Sequence, residues 1–310
     1  MDEFTHHGIE LRLEPIARSW TERLRQICRP RHHQIVIMQR RLLPVWQTAI
    51  LRRRVGKLVY DFDDAIFLHD SNHPAGLPSM TRWLRFRAVL ASADLVIAGN
   101  QYLAEQARPF ISGDRIEVVP TCVNPDIYEP AEHRERDSTR IVWIGSSSTL
   151  TSLERAKPIL EGIGQAIPSA ELRVICDRFP RFEHLKVEEC AWSSSRERDE
   201  LRSSDMGLSW MPDDRWSHGK CGLKVLQYMA AGLPVVANPV GVHREIIEPS
   251  HGFLPANPAE WLESVGKLSR SRSLRQEMGQ AGRQVLRDRF SVARWGPVLR
   301  ERLLDTGRSL

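Results

Sequence analysis

Cysteine is scarce and scattered in this chain: five residues in 310, Cys28, Cys122, Cys176, Cys190 and Cys221, with no CxxC pair among them. That spacing excludes a disulfide framework and a zinc-finger type of site, and buried thiols are the plain reading. No apolar run approaches the roughly 18 to 20 residues that a membrane-crossing helix requires. The opening MDEFTHHGIE lacks the basic start and apolar stretch of a secretory signal, so a cytoplasmic location is expected. Internal repeats and low-complexity tracts are also missing. Acidic residues are nearly absent from 11 to 60, where twelve Lys or Arg face only Glu14 and Glu22. Such a block attracts an anionic lipid surface, a phosphorylated acceptor or nucleic acid, unless it is simply a solvated face. Trp46, Ile50 and Leu51 beside Arg52, Arg53 and Arg54 suit an interfacial helix better than a phosphate-reading one. Nucleic acid ranks last, because the acidic DFDD follows at once and no nucleic-acid motif is present.

What the sequence does have is enough length for two domains and a regular alternation. Strand-like runs at 9 to 16, 34 to 38, 57 to 62, 94 to 99 and 115 to 120 alternate with helix-like stretches at 17 to 28, 43 to 54, 79 to 92 and 101 to 109. The segment NPDIYEPAEHRERDST, 124 to 139, breaks the pattern and reads as a linker. Alternation then resumes with RIVWIGS, a helix over 150 to 166, ELRVIC, KVEECAW, a helix near 195 to 203, MGLSWMP, the helix of GKCGLKVLQYMAAG, PVVAN and HGFLPA, before helices at 257 to 269, 271 to 289 and 291 to 305. Short β-rich runs separated by helices predict two doubly wound α/β domains with parallel sheets. Ligands in such folds bind beyond the carboxyl ends of the strands, so the crevice between the two domains is the expected site.

Four strand ends carry candidate chemistry. After IVWIG, the turn Gly145-Ser146-Ser147-Ser148 offers backbone amides and hydroxyls to an anion, with serine capping of a helix as the plain alternative. It is neither a Walker loop nor a GxGxxG fingerprint. After GLSWMP come Lys220 and Lys224, four apart and expected on one helix face. Cations at a helix N-terminus oppose its dipole by roughly 0.3 to 1 kcal/mol each, and a bound diphosphate would reverse that sign. After PVVAN, Gly241 permits close backbone approach, and Glu245 is either a ligand contact or an ordinary helix-turn carboxylate. In the first half, KLVY runs into Asp61, Asp63 and Asp64, suited to acid/base work, to holding a sugar hydroxyl or to a metal. Asp61 and Asp63 share a face if strand geometry persists. His69, Asp70 and His73 fall in a loop beside Pro74 and make no dependable metal motif, and Asn100 is either a crevice residue or an N-cap.

Taken together, VWIGSSSTL, YMAAGLPVVANPVGVHREII, HGFLPANPAEW and RQEMGQAGRQVLRDRFS resemble the retaining nucleotide-sugar glycosyltransferases of family 4, the group 1 type with GT-B architecture. VYDFDDAIF, LVIAGNQYLAE and VVPTCVNPDIY extend the likeness more loosely, in the right order over most of the chain. The resemblance implies two facing Rossmann-like domains: an acceptor-side domain over 1 to 130, a donor-binding domain over 140 to 290, and a C-terminal crossover helix over 291 to 310. It implies a retained configuration, no metal or other cofactor, and a polysaccharide, glycolipid or similar acceptor. Gly145, Ser146, Ser147, Ser148, Gly219, Lys220, Lys224, Gln227, Gly241 and Glu245 would hold the donor, and Asp61, Asp63 and Asp64 would form the catalytic and acceptor side. The basic residues 11 to 60 would then rest on the inner membrane face. Two departures stand out. Relatives place glutamates where this chain has Gly219 and Gln227, with Lys220, Lys224 or Asp213 as possible compensation. Relatives also open with a strand and glycine-rich turn not seen here, as if that first unit were missing. The alternative expectation is a non-catalytic nucleotide- or sugar-binding protein derived from such an enzyme.

Overall fold

Near-continuous apolar runs such as KLVY and LVIA suit strands covered on both faces, which is how parallel sheets are buried. The computed structural model describes residues 12–30, 35–134 and 137–308. Two compact units form: one from residues up to 120 with 219–221 and 295–310, the other from 121–218 and 222–294. In the first, β1 (Ile35–Gln39), β2 (Lys57–Phe62), β3 (Leu95–Ala98) and β4 (Ile116–Val118) form a parallel sheet in chain order. The helices described among and before them are α1 (Trp20–Cys28), α2 (Val45–Arg52), α3 (Met80–Ser92) and α4 (Gln101–Ala107).

Alternation along β2 divides the core. Tyr60 and Phe62 meet Phe86 of α3 in an aromatic cluster that Phe67 joins. Val59, on the other face, packs with Leu95, Ile97 and Leu303. Residues that share a register share a face, so Gln39, which pairs with Asp61, brings a side-chain amide beside that carboxylate.

The second unit holds β5 (Thr139–Ile144), β6 (Ala170–Cys176), β7 (Lys186–Ala191), β8 (Met206–Ser209), β9 (Val235–Ala237) and β10 (Gly252–Phe253). Their order, β10-β9-β8-β5-β6-β7, is parallel throughout and reverses direction between β5 and β8. Loops leaving the carboxyl ends of those two strands diverge, and the gap between them is where a doubly wound sheet takes a ligand. The surrounding helices are α5 (Ser147–Arg155), α6 (Lys157–Ala166), α7 (Glu197–Arg202), α8 (Arg215–His218), α9 (Leu223–Ala230), α10 (His243–Ile246), α11 (Pro258–Arg270) and α12 (Arg272–Arg289). A last helix, α13 (Val292–Arg308), belongs to the first unit from Trp295 onward.

Three expectations are corrected. Of the strand expected at 9 to 16, residues 12–16 are irregular and the rest lie outside the described residues. The Gln26 side chain takes the Pro15 carbonyl and the Ala17 amide at 3.0 and 2.8 Å, bonds that a strand would have given to a neighbour. The helix expected over 150 to 166 is two helices, because Pro158 enters the first turn of α6 and has no amide hydrogen to continue α5. The stretch read as a linker, and with it a domain boundary near 130, gives way to a boundary after Pro120. Arg283 donates to the carbonyls of Pro125 and Tyr128 at 2.9 and 2.8 Å, and Ala131 N donates to Ala231 O at 2.7 Å, so residues 125–131 are bound into the second unit.

Candidate active site

At the end of β2 the strand stops at Phe62 and the chain bends, so Asp61 and Asp63 do not continue along one strand face. Arg40, just past β1, gathers the carboxylates. Its amide donates to the Asp61 carbonyl at 2.8 Å, and its guanidinium pairs with Asp63 at 2.9 Å and with Asp64. Arg40 does this at φ 54°, in the left-handed region that a non-glycine residue occupies at some cost. Asp64 is buried and also receives Lys220 Nζ at 2.8 Å, so two cations balance its desolvation. Asn100 caps α4 by accepting from Leu103 N at 2.8 Å and donates to the Lys220 carbonyl at 3.0 Å, so it is an N-cap that also positions the lysine.

Asp61 is different. Gln39 Nε2 donates to its Oδ2 at 2.9 Å, yet burial pushes the carboxyl up to about 6, the neighbouring Asp63 adding to the shift and Gln39 and Arg40 opposing it. Burial likewise raises Asp63, against the pull of Arg40. A carboxyl that changes charge near 6 can accept a hydrogen bond from a substrate hydroxyl at neutral pH. Gln39 and Arg40 were not singled out in the sequence, although the rule that points to strand ends applies equally to the QR that closes IVIMQR.

The two lysines do not share a helix face. Gly222, at φ +73°, precedes α9 and turns the chain before the helix starts, leaving Lys220 with the first unit and Lys224 in the first turn of α9. Lys224 Nζ sits 4.4 Å from the ring centroid of buried Trp143, on β5. The ring's negative face offsets part of the dipole cost of a cation at a helix N-terminus. Lys224 thus stands at the switch point between β5 and β8.

Gly145 follows Trp143, and a Cβ there would lie 2.3 Å from Trp143 Cη2, so indole packing suffices to demand glycine. Ser146, Ser147 and Ser148 open α5, but the Ser147 amide already donates to Asp177 Oδ1 at 2.7 Å. Hydrogen bonds from the Cys176 thiol and from Ser147 hold Asp177 below the usual carboxylate range. A phosphate at this helix end would meet a resident carboxylate, which weakens the expectation of an anion site there. Ser146 and Ser148 bond each other at 2.8 Å and remain exposed hydroxyls. Gly241 lies close to α8, where a Cβ would come 3.2 Å from His218 Cα, and Glu245 is exposed on α10. The loops between are set by a buried network. His243, which burial holds down at about 4 and therefore neutral, links Ser209 Oγ at 3.0 Å to the Asn238 carbonyl at 2.9 Å. The Asn238 side chain in turn clamps Met211 N and O at 3.0 and 2.6 Å.

Gly219 packs on Ala65, where a Cβ would lie 2.6 Å from Ala65 N. There is no room for the glutamate that the resemblance leads one to expect. Gln227 has its own reason. Its Nε2 donates to Glu197 Oε1 at 2.7 Å, and Glu197 also takes Trp192 Nε1 at 2.7 Å and Tyr128 OH at 3.3 Å. A glutamate at 227 would put two carboxylates in contact. Glu197, Trp192 and Tyr128 went unnoticed in the sequence because α7 carries several charges and nothing local marks one of them.

Among the described residues, Glu188, Cys190 and Glu200 lie close enough to share a metal ion. Arg173 pairs with both of those carboxylates, at 2.8 and 3.0 Å, so the group is an ion-pair network. The described helices include none long and apolar enough to cross a membrane.

Residues 212–285 match the family model described as glycosyl transferases group 1. This stretch contains Lys220, Lys224, Gln227, Gly241 and Glu245. No curated protein sequence gives a match. Solved structures do. Sucrose-phosphate synthase from Thermosynechococcus elongatus is similar at 15% identity over 87% of this chain and 74% of its own, with a TM-score of 0.65. HepE from Anabaena, solved with UDP and glucose, is similar at 15% identity over 97% and 88%, with a TM-score of 0.65. TarM gives 11% identity and a TM-score of 0.68 over 92% of this chain, which spans 56% of TarM. The fold is GT-B. Its two Rossmann-like units are the ones described above.

Proposed function

We propose that this protein transfers a sugar from a nucleotide-sugar donor to a polysaccharide, glycolipid or similar acceptor, with retention of configuration. The observation that carries this reading is the position of Lys224, inside the group 1 match and over Trp143 at the switch point of the second sheet. HepE was solved with UDP and glucose, and the likeness of fold supports a donor of the same class on the second unit. Lys224 supplies charge to the leaving diphosphate, with no metal in the scheme, and the leaving phosphate takes the acceptor's proton on the face it departs from. Asp61 orients the acceptor hydroxyl, while Asp63 and Asp64, neutralised by Arg40 and Lys220, hold the bend that positions it.

Lys224→Ala is expected to weaken UDP binding by about 1.5 to 3 kcal/mol, the range for losing charge-assisted hydrogen bonds. Lys220→Ala, whose lysine serves Asp64, is expected to leave that affinity within about twofold, a shift of roughly 0.4 kcal/mol. Titration calorimetry separates the two, and equal losses would overturn this division of roles.

A second reading, a non-catalytic nucleotide- or sugar-binding protein, draws on the closed space at Gly219. Donor hydrolysis or transfer by purified protein decides against it, and tight donor binding without turnover decides for it.

The acceptor side is proposed to rest on an anionic membrane face. Trp20, Val45 and Trp46 are 62%, 50% and 50% exposed, among the exposed Arg18, Arg25, Arg41, Arg53 and Arg54. On α2, Val45, Trp46 and Ala49 are exposed on one outward stripe, with Arg53 following at the C-cap. Vesicles containing phosphatidylglycerol should sediment the protein, whereas pure phosphatidylcholine should not. Arg53→Ala with Arg54→Ala should cut binding by at least tenfold, since each basic residue near such a surface contributes about 1 kcal/mol.

A further inference from the structure

We infer that His69 and His73 form an acid-sensitive latch in the loop between β2 and α3: neutral, their stacked rings hold residues 69–77 closed, and protonated, they push apart and free the loop. The same loop starts with the Asp63–Asp64 bend, so the latch governs how firmly the acceptor side is held. That consequence rests on the proposed role of Asp61, while the latch itself does not.

The loop is closed by its own backbone. His69 N donates to Leu77 O at 2.8 Å, and within the loop His73 N donates to Asp70 O at 3.1 Å and Gly76 N to His73 O at 2.9 Å. Arg82 of α3 holds the entry by donating to the carbonyls of Ile66 and Leu68 at 3.3 and 3.1 Å. The imidazoles of His69 and His73 lie face to face, with centroids 3.7 Å apart and planes 9° from parallel. Imidazole lone pairs lie in the plane of the ring, so nitrogens stacked in this way do not converge on one metal ion. What such a stack responds to is protons.

His73 Nδ1 accepts from Ala75 N at 3.2 Å, which places the proton of the neutral ring on Nε2. A second proton has to enter at Nδ1, where it meets the Ala75 N–H and takes away its acceptor. His69 Nδ1 is buried and has no hydrogen-bond partner among the described residues. An imidazolium donates from both nitrogens, and this one has nothing to donate to. Charge works in the same direction. The charged or titratable groups around His69 are His73 and Asp70 in the loop and Arg82 on α3. Burial, His73 and Arg82 hold its imidazole below the usual range, and only the exposed Asp70 opposes them. The closed loop therefore binds a proton less well than the free one. Its extra stability is present above 6.5, the ordinary value, and is lost as pH falls through the lower value of the folded state. Two imidazolium rings stacked beside a guanidinium repel one another at contact distance.

Hydrogen exchange of the full chain, read by mass spectrometry at about pH 5 and about pH 7.5 and corrected for the intrinsic rate, tests the latch. In wild type the peptide covering 69–77 should lose protection by about tenfold or more at the lower pH, while peptides from β2 and α3 keep theirs. His69→Phe with His73→Phe keeps two stacked rings without the charge and should show the same protection at both pH values. The wild-type comparison needs no variant, so a variant that fails to fold does not blunt the test. Equal protection of wild-type 69–77 at the two pH values overturns the inference. Loss that spreads through β2 and α3 also overturns it, because that is acid unfolding and not release of a loop. A drop that persists in the double variant belongs to other groups and overturns it as well. None of these readings uses a substrate, so they stand if the nucleotide-sugar reading fails. Turnover of wild type should fall more steeply with acid than that of the double variant, which keeps only the contribution of Asp61, and equal steepness overturns the link to the acceptor side.

Discussion

Asp61→Asn should lower turnover by roughly a hundredfold or more, the order expected when an oriented reactant is released. It should leave UDP affinity unchanged, because Asp61 belongs to the first unit and the donor site is proposed on the second. The same substitution should stabilise the protein at neutral pH. The folded carboxyl titrates at about 6 against 3.8 for the free group, so folding favours the protonated form. That contribution is fully present below about pH 3.8 and is lost as pH rises through about 6. Above 6 the ionised Asp61 is a cost, on the order of 2 kcal/mol after allowing for the water that reaches it. Wild-type stability should therefore carry a component that falls between pH 4 and 6, and Asp61→Asn should lack it. Activity should follow the opposite course, rising through the same window as the carboxylate forms. Urea unfolding at several pH values, set beside a pH-rate profile, checks both. Parallel loss of activity and stability in the variant would mean that Asp61 is a structural carboxylate and no more.

The second large effect is expected from Tyr228→Phe. Strands β5 and β8 pair only at Ile141 with Met206 and at Val142 with Gly207, then part. The Tyr228 hydroxyl fills the gap, accepting from Ile144 N at 3.0 Å and donating to Leu208 O at 3.1 Å. Its ring fits because position 207 is glycine, where a Cβ would lie 2.2 Å away. Phenylalanine would leave one donor and one acceptor buried and unpaired, at about 1 to 3 kcal/mol each, for a total of about 2 to 6 kcal/mol. Chemical denaturation measures it, and a change within about 0.5 kcal/mol, the ordinary scatter of neutral substitutions, would contradict it. UDP affinity should fall as well, because Lys224 and Trp143 stand at the same switch point.

These residues also show how far the sequence could be read. The strands were legible because β2 is apolar along its length, and Lys57–Phe62 was bounded correctly from that run alone. The tip of that strand marked Asp61, Asp63 and Asp64 as candidates. Nothing in the spacing indicated that Arg40, twenty-odd positions earlier, would bind two of them, since parallel pairing places β1 beside β2 only through a crossover. The lysines were read on one helix because spacing by four is a helical signal. Gly222 has two conformational options at such a position, and only the folded chain shows that it takes the left-handed one and starts the helix after Lys220.

Local pattern, then, determined the α/β class, the presence of two parallel sheets and the strand ends where polar residues collect, because periodicity and strand propensity act over a few residues at a time. Tertiary structure alone decided which charges are spent and which remain. Ser147 gives its amide to Asp177, Lys220 gives its charge to Asp64, and Gln227 gives its side-chain amide to Glu197. Each of those contacts joins residues thirty or more positions apart, and the desolvation that sets its worth exists only once the sheets and helices have closed around it.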